Sequence, residues 1–164
     1  GGIMSALKTI VQISGALAFA LFATIASAQQ RPSYGPEITL ANAKKIAAAA
    51  LAEAQKNNWN VAIAVVDNHG FLVYYERLDD TQSASPAIAI EKARTAAMFR
   101  RPSKAFEDGV AKGRVALLGL TGAMPIEGGL PIMVGGAVAG GIGVSGVNSD
   151  QDAQVAKAGL EALK

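Results

Sequence analysis

GGIGVSG, residues 140–146, carries the spacing G-x-G-x-x-G in Gly141, Gly143 and Gly146, and its reading decides the fold. As a dinucleotide loop it would end a strand, turn tightly and open a helix. A second parallel strand would then follow, with an acidic residue about 20 positions further on. Only 18 residues follow Gly146. They include SDQDAQVAKAGLEALK, 149–164, which predicts one helix capped by Ser149 with Asp152 at its third position. No βαβ unit can be completed. Ile142 and Val144 instead alternate with Gly141, Gly143 and Ser145, the period of a strand. The glycines then mark places where another backbone, or a ligand, comes close to a sheet.

Working outward, PIMV (131–134) and AVAGGIGVSG (137–146) flank Gly135-Gly136, a two-residue hairpin turn. VAIAVVD (61–67) and FLVYYERL (71–78) flank NHG and predict a second hairpin. The first of these strands is apolar on both faces, which predicts a central position. Between and around the hairpins lie helical patterns. Thr39 is an N-cap candidate, and Ala43, Ile46, Ala47, Ala50, Leu51 and Ala54 fall on one stripe until Asn57-Asn58 ends it. Ser85-Pro86 offers an N-cap and first helical residue for a helix to about Phe99. Pro102 breaks it, and a short helix follows within 103–113. The order helix, hairpin, helix, hairpin, helix predicts an α+β domain, an antiparallel sheet built from two hairpins and flanked by helices.

Composition narrows the function classes. The chain has 164 residues, 51% hydrophobic, enough for one domain with a core. Gly1-Gly2-Ile3 is expected to be a cloning remnant, and residues 4–28 a signal peptide. Lys8 precedes an apolar run from Ile10 to Ile25, and Ala26-Ser27-Ala28 is an A-x-A site with cleavage expected before Gln29. A periplasmic or secreted protein without a stable membrane span follows as the expectation. Residues 29–37 read as a flexible arm, and 38–164 as the domain. The leader removes one lysine and no acid, lowering the net charge from +2 to +1. That balance, with scattered basic residues, excludes an electrostatic track for nucleic acid. There is no cysteine, which excludes disulfides, thiolate metal sites and a cysteine nucleophile.

His69 is the single histidine. It is either a turn residue tolerated in the left-handed region or an exposed imidazole able to ligate haem iron, for which one axial histidine suffices. Lys92, Arg94 and Thr95 lie on one helix beside a Gly-rich loop, where they form an anion-holding face or plain helix surface. Glu91 and Arg94 share a face. Glu76, Asp79 and Asp80 cluster at a strand end, as a solvated salt-bridged terminus or a weak hard-cation site. Tyr74 and Tyr75 point to opposite sides of their strand. Met98, Met124 and Met133 fit core or interface filling. No catalytic residue is assigned.

In their order, these segments resemble the GlcG/HbpS family, which is itself similar to the C-terminal domain of PduO-type proteins. The family's hairpin turn falls on Asp67 and Gly70, and its Arg-x-Asp strand end on Arg77 and Asp79. Its Lys-Ala-x-Thr-Ala helix falls on Lys92, Ala93, Thr95 and Ala96. Its Gly-Gly-x-Pro-Ile loop falls on Gly128, Gly129, Pro131 and Ile132, and its Gly-x-Ser-Gly end on Gly143, Ser145 and Gly146. The family's Glu-x-x-Glu iron element has only a looser match here, Glu76 followed by Asp79. The resemblance implies a homo-oligomer, commonly an octamer, that binds haem and in some members degrades or senses it. The cofactor contacts expected from the residues themselves are His69 as metal ligand, with Lys92, Arg94, Thr95, Gly128, Gly129 and Pro131 around the haem. The alternatives are a binding module for a small organic anion, or an accessory protein without a small ligand.

Overall fold

The structure, a computed structural model, describes residues 31–164; the expected leader and its cleavage site lie outside that range. The elements in chain order are α1 (Leu40–Lys56), β1 (Ala62–Asp67), β2 (Leu72–Arg77), α2 (Ser85–Phe99) and α3 (Lys104–Ala111). A 3-10 turn (Val115–Gly119), β3 (Gly129–Val134), β4 (Ala137–Ser145) and α4 (Ser149–Glu161) complete the chain. The α+β class and the helix–hairpin–helix–hairpin–helix order hold, with α3 and the 3-10 turn filling the connection before β3. All strand pairs are antiparallel, in the order β2-β1-β4-β3. The double-sided apolar run of β1 lies centrally, with all six residues buried.

Period-two alternation sorts the sheet into two faces. Ile63 and Val65 of β1 and Ile142 and Val144 of β4 pack with Ile46 and Ala50 of α1 and Val155 of α4. Ala62, Ala64 and Val66, on the other face, meet Ala89, Ala93 and Ala97 of α2. Gly141 and Gly143 belong to this second face, paired with Val66 and Ala64. A Cβ on Gly141 would run into the Ala93 carbonyl oxygen, and one on Gly143 into that of Ala89. What approaches Gly141 and Gly143 is therefore the α2 backbone, seated directly on the strand. Gly135 and Gly136 at the β3–β4 turn take φ of 59° and 81°, the paired left-handed conformation of a tight hairpin.

Two capping expectations are corrected. Ser85 lies inside α2, with Ala84 at the cap position, because its hydroxyl faces across to Ser145 Oγ at 3.2 Å. Asn148, not Ser149, caps α4, and the Gln151 side chain accepts the Asn148 N–H at 3.2 Å; Asp152 is drawn inward instead. Residues 34–38 of the arm lie along β4. Gly35 and Ile38 donate to the carbonyls of Val138 and Ala139 at 3.0 and 2.8 Å, and Tyr34 bridges to Val138 in parallel. Thr39 does cap α1, accepting the Asn42 N–H at 3.2 Å.

Candidate functional site

The first hairpin builds the site. Asp67 ends β1, and its Oδ1 accepts the backbone N–H groups of His69 and Phe71 at 2.8 and 2.9 Å. This organises the turn and lifts the His69 side chain into solvent, 66% exposed. The imidazole Nδ1 stands 3.1 Å from Oε1 of Glu37 on the docked arm. A carboxylate on Nδ1 favours the tautomer whose Nε2 carries the lone pair, and Nε2 has no partner among the described residues.

His69 lines a cavity of about 320 Å³ with Tyr34, Asn68 and Met98. The Tyr34 hydroxyl donates to the Met98 carbonyl at 2.5 Å, and the Arg100 guanidinium lies 4.9 Å from its ring centroid. Asn68 donates from Nδ2 to the Gly35 carbonyl at 2.6 Å, while its Oδ1 is buried without a partner. Gly70, at φ 90°, lets the chain pass close to α2: a Cβ there would stand 2.8 Å from Met98 Sδ and 3.5 Å from Arg94 Nε. Arg94 gives Nη1 to Glu91 at 3.0 Å, as their shared face predicts. Its Nε is buried and unpartnered.

The remaining residues singled out in the sequence gather elsewhere. Lys92 is 1% exposed, neither a ligand-facing cation nor plain helix surface. Its ammonium donates to Asp152 Oδ2 at 2.8 Å and to the Val144 carbonyl at 3.1 Å. Asp152 also accepts the Val147 N–H at 3.2 Å. Burial pushes its carboxyl above the ordinary aspartate value, and the Lys92 hydrogen bond and charge pull it back. Gly128 and Gly129 close this joint; a Cβ on Gly128 would stand 2.8 Å from Lys92 Nζ, and one on Gly129 would strike the Lys92 carbonyl. The buried Thr95 hydroxyl donates to the Glu91 carbonyl and accepts the Met124 N–H, both at 2.7 Å, pinning the loop before β3. Pro131 lies on edge strand β3 opposite Gly141, where a missing N–H is tolerated.

Glu76 accepts the Tyr74 hydroxyl at 3.2 Å, and Asp79 and Asp80 are exposed. Among the described residues the grouping able to hold a metal ion is Glu37, Asp67 and His69, not this strand end. Tyr34, Glu37, Asn68 and Met98 were not marked by the sequence as site residues. The first two sit on the arm, whose docking no local pattern announces, and Met98 reads as filler until its 39% exposure beside the turn is known. No described helix is long and apolar enough to cross a membrane.

Relatives carry the same architecture. Protein GlcG of Escherichia coli strain K12 is 47% identical over 103 residues, 63% of this chain and 77% of that protein. The corrinoid adenosyltransferase PduO of Salmonella typhimurium is 30% identical over 120 residues, 70% of this chain but only 35% of that protein. A double mutant of Streptomyces reticuli HbpS superposes with a TM-score of 0.74 at 32% identity, covering 85% of this chain and 96% of the other. A PduOC:heme complex superposes at 0.71 and 25% identity, covering 77% and 94%. The family described as "Haem degrading protein HbpS-like" matches residues 38–161, the whole of the sheet and its helices, and the chain belongs to that family.

Proposed function

We propose that this protein binds haem at the first hairpin, with His69 as the axial ligand to iron. The observation that carries the proposal is the His69 imidazole itself: its Nδ1 is engaged by Glu37, and the ring borders the cavity shared with Tyr34, Asn68 and Met98. The residues present suit the group. A single histidine suffices for haem, Met98 and Tyr34 offer soft and aromatic walls, and the part-exposed Arg94 guanidinium, on the same helix as Met98, is a charge-assisted donor for a propionate. The PduOC:heme complex supports the same ligand class.

At about 320 Å³ the cavity is at the small end of ligand pockets, which span roughly 300–1,000 Å³. Phe71 and Leu72, just past the turn, are 73% and 50% exposed. We therefore read the haem as held in a cleft completed by a second copy, in a homo-oligomer. The A-x-A leader is the ground for placing the protein in the periplasm or outside the cell. Bound haem supplies iron redox chemistry; this chain's residues bind, orient and shield it, in a sensing or haem-degrading role.

The test is a haemin titration followed at the Soret band, with His69→Ala alongside. Saturable binding weakened tenfold or more, about 1.4 kcal/mol, supports the assignment. Saturable binding indifferent to the substitution removes His69 from the iron. Absence of saturable binding overturns the haem reading.

A further inference from the structure

We propose that Glu37, Asp67 and His69 form a binding site for a divalent first-row transition-metal ion that fills without haem. One donor atom from each lies within 4.8 Å of the other two. Three separate pieces of chain deliver them: the arm, the end of β1 and the turn. Glu37 is held by the backbone hydrogen bonds that dock Gly35 and Ile38 on either side of it. Asp67 is fixed by the two turn amides on Oδ1, so its second oxygen remains to be used. The Asp67 carboxylate and the backbone that carries Glu37 are thus positioned before any ion arrives.

The chemistry selects the ion. An imidazole nitrogen with two carboxylates suits Zn²⁺, Fe²⁺ or Co²⁺, whereas Mg²⁺ and Ca²⁺ favour sites made wholly of oxygen. An independent observation points to a ligand at the same place. Asn68, between Asp67 and His69 in sequence, is only 7% exposed. Its Oδ1 is buried without a partner, and the residue lines the same cavity as His69. A buried amide oxygen left unpaired calls for a missing water or ion; it can coordinate such an ion or accept a hydrogen bond from water bound to it. Occupancy would fasten the arm to the hairpin.

The test uses the whole protein stripped by chelation and free of haem, titrated with Co²⁺ by visible absorption and with Zn²⁺ by calorimetry. The expected result is one saturable equivalent with cobalt ligand-field bands. Affinity should fall about tenfold or more in Glu37→Gln and in Asp67→Asn. Asp67→Asn keeps an acceptor for the turn amides, and circular dichroism checks that both variants are folded. Excess Mg²⁺ should not displace the ion. Folded Glu37→Gln that binds Co²⁺ like the parent overturns the site, leaving Glu37–His69 as a surface contact. Absence of saturable binding by the parent overturns it equally. A missing Soret band in the haemin experiment bears only on haem and leaves this result standing.

Discussion

Replacing Lys92 by methionine removes the cation from a pair in which the two side chains are each 2% exposed and 2.8 Å apart. The Asp152 carboxylate is then buried with only the backbone amides of Val147 and Gly146 to satisfy it. Breaking one side of such a pair costs about 3–5 kcal/mol, a large part of a typical domain's stability. With a urea slope of about 2 kcal/mol per molar, the unfolding midpoint should drop by about 2 M. Pairing Lys92→Met with Asp152→Asn removes both charges and keeps an acceptor for Val147, so most of the loss should return. The sign of the pH effect follows from the same contacts. Asp152 is already raised by burial, and Lys92 is a cause pulling it down; without Lys92 the carboxyl rises further. A raised carboxyl gives stability that is present below its ordinary value of 3.8 and lost as pH climbs through the folded value. The deficit of Lys92→Met should accordingly be small near pH 4 and full near pH 8. Equilibrium urea denaturation by circular dichroism at both pH values decides it. A loss under about 1 kcal/mol at pH 8, the size of an exposed pair, would refute the reasoning, as would a double variant no better than the single.

Gly143→Ala forces a Cβ into the Ala89 carbonyl, and thermal melting should show a loss of about 3 kcal/mol, the upper range for overpacking. Thr95→Val deletes the hydroxyl that the Met124 amide donates to and should cost about 1–3 kcal/mol; faster limited proteolysis within the loop before β3 would report it. If Zn²⁺ takes Nδ1 of His69, the ring proton moves to Nε2 and the ring can no longer ligate iron. Saturating Zn²⁺ should then weaken haemin binding to the parent, and equal Soret titrations with and without Zn²⁺ would count against a shared imidazole.

What the sequence made legible was local or periodic. The two hairpins are written in short turns, NHG and Gly135-Gly136, and in alternation that needs no knowledge of the rest of the chain. The double-sided run of β1 announces its central place, and the glycines of β4 announce a close neighbour. That neighbour is helix backbone rather than ligand, and only the path of α2 could tell. Lys92 misleads because lysine is seldom fully buried. A signal was available: Ala89, Lys92, Ala93 and Ala96 follow the i, i+3, i+4, i+7 spacing of a buried stripe. Its partner Asp152 is 60 residues away, beyond any local pattern. Glu37 and His69 are likewise brought together by the docking of the arm along β4. Neighbouring prolines and a glycine mark that arm as loose when composition alone is weighed.

The contact between α2 and β4 also sets a phase. Helix carbonyls occupy the hollows over Gly141 and Gly143, while the residues flanking those hollows on the strand turn their side chains to the opposite face. Moving the helix along the strand by any fraction of a repeat would lift it out of both hollows at once. Arg94 and Met98 ride on that helix, so their offset from the first hairpin is indexed by two absent side chains some distance from the cavity.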